Sequence, residues 1–368
     1  MKKKFNLSNI REKILVSIFI IFIVGPTIIY NMIPEEDKIN SENRVLKEKP
    51  NLSTDNIMMY PEEYEEYYDD NIPFKSKFVE IYSELKYRFL GMSVVDTVIP
   101  GKDGWLFYNS RPNKDQDTLA DYQGTNKYTS EQINNITNEL LKKKNFLEEQ
   151  GIELHVLIVP NKSQIYYEYM PDDYYKNEGA SRADELVKHI KENTDINIVY
   201  PKDKFLELKD EYQLYSKLDS HWTSLGSYIA YVELMKSIDS DFEYKELNEL
   251  EIVATDIKSG DLATMMNMDN KLNDKSYKIT NNKPEITAGI IEDKGPAMNR
   301  FQSTNMNGKK IMIYRDSFGK QLINHITKEF REVAMLWAVP FSEEQILDED
   351  PDVVVIEVAE RYLENLIK

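Results

Sequence analysis

Hydrophobic and polar positions divide the chain into an apolar head, a charged neck and a long alternating body. The head, "ILVSIFIIFIVGPTIIYNMI" at 14–33, carries no charge. At ~1.5 Å rise per residue, about 20 residues span the ~30 Å hydrocarbon layer of a bilayer. Residues 1–13 before it are basic and "PEEDK" after it is acidic. That order leaves a cytoplasmic basic tail and sends the remainder of the chain outward. The run exceeds the ~7–15 apolar residues of a cleaved signal peptide, and no A-x-A-like site follows. It therefore reads as an uncleaved, single-pass signal anchor, with Pro26 tolerated inside a membrane helix. Residues 34–92 are polar and rich in tyrosine and acid. They read as a juxtamembrane spacer with a helix at about 73–90; the acidic tyrosine cluster is solvated or, alternatively, docks a partner.

The body, 93–368, alternates strand-like and helix-like segments. "VVDTVIPGKDGWLFY" reads as two strands about a glycine turn. In "YTSEQINNITNELLKKKNFLEEQG", Thr129 and Gln132 form a capping box, Ile133, Ile136, Leu140 and Leu147 recur at helical spacing, and Gly151 stops the helix. "IELHVLIVP" is a nearly continuous apolar run, the mark of a strand buried on both faces. A helix near "SRADELVKHIKEN", a strand at 196–200 and a helix at "TSLGSYIAYVELMKSI", capped by Thr223, follow. Residues 240–308 are weakly patterned and read as a hairpin insertion with loops. "KKIMIYRDS" (strand), "FGKQLINHITKEF" (helix), "EVAMLWAV" and "DVVVIEV" (strands) and a final helix complete the chain. This order predicts an α/β domain with a mostly parallel central sheet covered on both faces. Ligands of such sheets bind beyond the carboxyl ends of the strands.

Composition narrows the function. A formal charge of −18 over 368 residues disfavours nucleic acid as a partner. With no cysteine, disulfides, thiolate metal sites and cysteine nucleophiles are excluded. No P-loop, "GxGxxG" or "GxSxG" occurs, and no cofactor is expected.

Two stretches carry candidate chemistry. In "IMIYRDSFGKQLIN", Ser317 lies where a strand passes into a helix, a place suited to a nucleophile because helix N–H groups favour negative charge; it reads equally as a helix cap. In "YSKLDSHWTSLGSY", Asp219 and His221 stand two apart. His221 is placed to accept the Ser317 proton, and Asp219 to hold the other ring nitrogen. A loop histidine beside a carboxylate, or an Asp-His metal site, are the alternatives. Of the four histidines, His155 and His189 read as structural, and His325 is the competing base.

"LDSHWTSLGSYIAY" and "IMIYRDSFG", with "GKDGWLFY" at 101–108, "VPNKSQIYYEYMP" at 159–171, "SGDLATMM" at 259–266 and "PDVVVIEVAERYL" at 351–363, resemble the DHHW and alginate O-acetyltransferase-like branch of the SGNH hydrolase superfamily. The resemblance covers about 95–368 and implies a three-layer α/β/α domain in which Ser317 is the nucleophile, His221 its base and Asp219 the partner of the base. It implies substrate contacts by Arg315, Trp222 and Lys162, with Lys162 and Gly260 as contributors to the oxyanion site. Arg315 replaces the small residue of ordinary esterases, and Ser220 stands where the DHHW name has histidine. The implied activity is O-acetylation of a cell-surface or exported polysaccharide, beside a multi-spanning membrane acyltransferase. An acetyl esterase and a non-catalytic polysaccharide-binding scaffold are the rival readings.

Overall fold

The computed structural model describes residues 7–32, 47–72, 74–110, 117–176, 178–280, 282–306 and 308–368. The chain divides into two compact units, residues 1–85 and 86–368. In the first unit the apolar head lies in the helix Leu7–Met32, with Pro26 inside it. Among the described residues no helix is long and apolar enough to cross a membrane. The membrane span expected at 14–33 is therefore not supported. Residues 1–6 of the basic tail and 33–46 at the head of the spacer lie outside the described residues. The acidic tyrosine cluster forms the helix Tyr60–Asp70, which buries none of its residues. The helix expected near 73–90 is Lys75–Leu90.

The second unit contains strands β1 (Val98–Pro100), β2 (Leu106–Tyr108), β3 (Glu153–Val159), β4 (Asn197–Val199), β5 (Ile252–Ile257), β6 (Asp274–Ile279), β7 (Ala288–Asp293), β8 (Met298–Ser303), β9 (Lys310–Arg315), β10 (Glu332–Trp337) and β11 (Val353–Ala359). Seven form one sheet, in the order β4-β3-β11-β9-β10-β8-β7. From β4 to β10 neighbours run parallel. At the far edge β8 and β7 are antiparallel, so the sheet is mixed. The antiparallel edge comes from within 240–308. Residues of β7 are largely exposed, so they leave no buried face for a sequence pattern to record. The remaining pairs, β1/β2 and β5/β6, are separate antiparallel ribbons.

Successive residues of a buried strand point to opposite faces, and the core divides accordingly. Leu157, Val159, Ile311, Ile313, Val353 and Val355 join the cluster that includes Tyr228, Ala230 and Leu234 of the helix Ser224–Ile238. Val156, Ile158, Met312, Val354 and Ile356 face the opposite way. They join Ile136, Leu140 and Leu147 of the helix Ser130–Glu149 and Leu186 and Ile190 of Arg182–Asn193. Three layers result, α/β/α. The long helix begins with the expected capping box of Thr129 and Gln132, and Thr223 caps Ser224–Ile238 by accepting from the N–H groups of Leu225 and Gly226.

One expected helix is replaced by a tighter path. After Ser317 the chain makes a 3-10 turn, Phe318–Leu322, and then only a four-residue helix, Ile323–Ile326. The Asp316 carboxylate captures the Phe318 N–H at 2.8 Å, and Gly319 sits so close to the sheet that a Cβ there would lie 2.7 Å from Arg315 Cβ. These contacts fold the segment down where apolar spacing alone suggests a regular helix. The final helix is likewise a 3-10 segment, Glu360–Ile367.

Candidate active site

The loop that carries Asp219 and His221 is closed at its base by antiparallel pairing of Tyr215 with Trp222. Its backbone is anchored from three sides. Asp274 accepts from Ser216 Oγ at 2.5 Å and from Lys217 N at 2.7 Å. Leu218 O accepts from the N–H groups of Leu262 and Ala263. Lys162 Nζ donates to the carbonyls of Leu106, Lys217 and Asp219, at 2.6, 3.1 and 3.0 Å. Gly260 packs against the Leu218–Asp219 peptide so tightly that a Cβ would fall 2.4 Å from Leu218 O. The loop therefore presents its side chains from a fixed backbone.

Those side chains form a hydrogen-bonded chain. Asp219 Oδ1 lies 2.7 Å from His221 Nδ1 and also accepts from the His221 N–H at 2.9 Å. The other ring nitrogen, His221 Nε2, is 2.8 Å from Ser317 Oγ, across 96 residues of sequence. Asp219 Oδ2 accepts from the Asp261 N–H at 3.0 Å. Burial pushes the Asp219 carboxyl up. The hydrogen bonds from His221 and Asp261, with the His221 charge, outweigh it and hold the group well below the usual carboxylate range. Asp219 is thus an anion fixed on the histidine.

Ser317 is positioned from the sheet. Asp316, just beyond β9, accepts from Phe318 N at 2.8 Å through one oxygen and from Ala359 N at 2.7 Å through the other. Its own N–H donates to Glu357 Oε2. The turn is pinned to the end of β11, and Ser317 makes no side-chain cap bond. The cap role open to this serine is not taken up, and its Oγ faces His221 Nε2 instead. The Ser317 N–H takes no acceptor among the described residues. The ring of Phe318 packs 4.7 Å from the His221 ring. Burial first, and the Asp316 charge second, push the Glu357 carboxyl well above its ordinary range.

The chain opens into a cleft of about 760 Å³ lined by Asp219, His221, Ser317, Arg315, Lys320 and Trp337 among others. Lys275 adds a third cation from β6. Of its carboxylates, Asp219 is engaged as above and Asp293 accepts from Gly295 N and Asn299 Nδ2.

The remaining sequence candidates separate. Arg315 lines the cleft, with its Nε lacking a partner among the described residues. Trp222 reaches the cleft wall but is 1% exposed, and its Nε1 donates to Phe318 O; it packs the site rather than presenting a face. Lys162, expected to touch substrate, is fully engaged beneath the loop, where burial pushes its ammonium down to about 7 against the pull of Asp274, Asp261 and Asp219. It braces the loop. His325, the competing base, is buried between Tyr228 and Tyr231 and faces Ser227 Oγ. Glu360 accepts from Asn161 N, and Arg361 lies over the rings of Tyr108, Phe318 and Tyr362.

Two residues near the site, one beside His221 and one lining the cleft, escaped the sequence reading. Asp261 stood in the quoted "SGDLATMM", yet its contacts appear only in three dimensions: Oδ1 accepts from Ser220 N at 2.6 Å, Oδ2 accepts from Ser220 Oγ at 2.5 Å and lies 3.5 Å from His221 Nδ1. Ser220, in place of the family's histidine, thereby ties Asp261 to the loop. Trp337 is exposed at the end of β10. Asp219, His221 and Asp261 bring ligand atoms within 4.8 Å of one another. A cation bound through His221 Nδ1 would have to break the Asp219–His221 bond.

The family described as the SGNH hydrolase-like domain of the acetyltransferase AlgX matches residues 98–294, which include Asp219, His221 and Asp261 and end before Ser317. The chain is 25% identical over 218 residues to a probable alginate O-acetylase, AlgJ, of Pseudomonas syringae pv. tomato; the match covers 56% of this chain and half the length of that protein. Among solved structures it is similar to Bacillus cereus PatB1, at TM-score 0.50 and 17% identity over 75% of this chain and 97% of that one. The O-acetyltransferase domain of Pseudomonas putida AlgJ aligns at TM-score 0.46 and 18% identity, over 74% of this chain and 92% of that one.

Proposed function

The chain belongs to the AlgX family of SGNH hydrolase-like acetyltransferase domains, and from that membership we propose that it is a polysaccharide O-acetyltransferase working through an acyl-serine. The observation that carries the reading is the unbroken path Asp219–His221–Ser317 at the mouth of a cleft. Ser317 Oγ attacks the acyl carbonyl while His221 Nε2 takes its proton. The anionic Asp219 keeps the proton on Nδ1 and stabilises the imidazolium. The tetrahedral oxyanion forms beside the Ser317 N–H, which donates to it. Collapse expels the donor's leaving group, which takes the proton from Nε2, and the acetyl group remains on Ser317. A sugar hydroxyl then gives its proton to Nε2, attacks the ester carbonyl, and displaces Ser317, which recovers that proton.

The acceptor class rests on two supports: the probable alginate O-acetylase relative, and a cleft lined by three cations and by two carboxylates that are already hydrogen-bonded. A glycan bearing acidic groups fits that lining. Placement outside the cytoplasm rests on the N-terminal charge order, basic before residue 14 and acidic after 33. A multi-spanning membrane acyltransferase is the donor-side partner this placement calls for. Protease added to intact protoplasts should digest the C-terminal unit; protection until lysis would reverse the orientation.

The test of activity offers the full chain an activated acetyl ester with and without oligosaccharide acceptors. Acetylated sugar is the expected product. Free acetate alone would make the protein an esterase. No turnover, with cellular glycan acetylation unchanged by Ser317→Ala, would leave a scaffold.

A further inference from the structure

The parallel register of β9 and β10 sets Trp337 directly opposite Arg315, two residues before Ser317. The backbone confirms the match, since Ala338 N donates to Arg315 O at 3.0 Å. Residues i and i+2 of a strand share a face. Trp337 therefore continues the row of Val333 and Met335, which lie in the core cluster on the Ser224–Ile238 side of the sheet. Arg315 continues the row of Ile311 and Ile313 on that same side. Beyond the carboxyl ends of the strands this row leaves the core and enters the cleft, which both residues line together with Ser317.

Their surroundings are unusual for such side chains. Trp337 is 39% exposed, whereas Trp105 and Trp222, the other two tryptophans, are 3% and 1% exposed. A large exposed apolar surface inside a concave site signals a ligand more than a packing accident. Arg315 is 8% exposed, yet its Nε has no partner among the described residues, and its guanidinium carbon stands 5.8 Å from the Trp337 ring centroid. One nitrogen, Nη1, donates to Asp316 O.

We propose that Trp337 and Arg315 form the acceptor-sugar subsite. A pyranose ring lies with its C–H face on the indole, whose π face is electron-rich and attracts polarised C–H bonds. An oxygen substituent of the same ring, hydroxyl or carboxylate, accepts from the Arg315 guanidinium. Held at these two points, the sugar turns a hydroxyl toward the Ser317 ester. The assignment rests on Ser317 as the acyl carrier. It goes further by naming the surface that favours a sugar hydroxyl over water at that ester.

The protein's own fluorescence tests it. With Trp105 and Trp222 3% and 1% exposed, a ligand stacking on indole acts chiefly on the emission of Trp337. Cellotetraose and tetragalacturonate serve as neutral and acidic pyranose probes for the full chain. At least one should shift or quench the emission of the wild type, and Trp337→Phe should lose that change. In acetyl transfer, Trp337→Ala should raise the acceptor KM tenfold or more and lower the ratio of transfer to hydrolysis by a similar factor. Trp337→Phe should restore most of both, since it returns an aromatic face. No emission change with either probe, or an unaltered acceptor KM in a folded Trp337→Ala protein, would overturn the subsite. Failure of the acyl-serine reading shows separately, as ester turnover that survives Ser317→Ala.

Discussion

Substituting Asp219 by asparagine asks what holds the histidine, and the hydrogen bonds around Asp219 predict the answer. An asparagine must place an acceptor oxygen at one carboxylate position and an NH2 at the other. The Oδ1 position faces two donors, the His221 N–H at 2.9 Å and the ring nitrogen at 2.7 Å. The Oδ2 position faces one, the Asp261 N–H at 3.0 Å. The amide oxygen therefore settles at Oδ1, and the NH2 confronts the Asp261 N–H. His221 keeps its Nδ1–H tautomer and its proton-accepting Nε2. What is lost is charge: a charge-assisted bond of ~1.5–3 kcal/mol becomes a neutral one of ~0.5–1.5 kcal/mol. The difference of about 1–1.5 kcal/mol is roughly tenfold in rate. Misplacement of the loop by the opposed N–H groups extends the loss to between ~10- and ~100-fold. Asp261, whose Oδ2 lies 3.5 Å from Nδ1, retains a negative charge beside the ring and limits it. The same opposed donors should cost ~1–3 kcal/mol of stability. Acetyl-ester turnover measures the rate, denaturant unfolding the stability, and ring-nitrogen NMR the tautomer, with His221→Ala identifying the resonance. A fall of ~10⁴, the cost of a wrong tautomer, with Nε2 protonated would refute the assignment of donors; no fall at all would remove Asp219 from the mechanism.

Three further outcomes follow from other contacts. Ser317→Ala and His221→Ala should each reduce ester turnover at least ~10³-fold with the fold intact by circular dichroism, and the double variant should be scarcely worse, because groups acting as a unit are not additive; additive losses would show that the two act independently. Burial, and secondarily the charge of Lys328, push His325 down to about 4, so the folded protein keeps it neutral while the unfolded chain takes up a proton below about 6.5. Its contribution is therefore lost as pH falls from about 6.5 toward 4, at most ~3 kcal/mol; His325→Phe should flatten the stability profile over that window, and an unchanged slope would mean the buried ring is protonated in the fold. In Gly319→Ala the new Cβ meets Arg315 Cβ and Glu357 Oε2, each 2.7 Å away. This should cost ~1–3 kcal/mol and depress turnover by moving Ser317; an unchanged melting temperature and rate would show that the turn yields freely.

What the sequence could reveal follows from how each part is buried. β3, β9 and β11 are covered on both faces, so their apolar residues run together and announce a central strand. β7 and β8 close the edge of the same sheet with largely exposed or half-buried residues, and nothing in their periodicity distinguishes an added edge from a detached hairpin. Leu322, Ile323 and Ile326 are spaced as on a helix, but the path is set by Asp316, which captures Phe318 N, and by the space only Gly319 leaves. The site divides along the same line. Ser317 and His221 were readable as chemical types in suggestive places, and family resemblance paired them; no spacing rule joins residues 96 apart. Lys162 shows why a cation near a site is weak evidence of substrate contact. Its value lies in three carbonyls, among them that of Asp219, which a sequence does not display as acceptors. Trp337 shows the converse. In "EVAMLWAV" it continues an apolar strand and invites assignment to the core, and only the register that sets it opposite Arg315 carries it past the end of the sheet. Contacts made by backbone groups, and positions fixed by register, are therefore where the site departs from what the residue types announce.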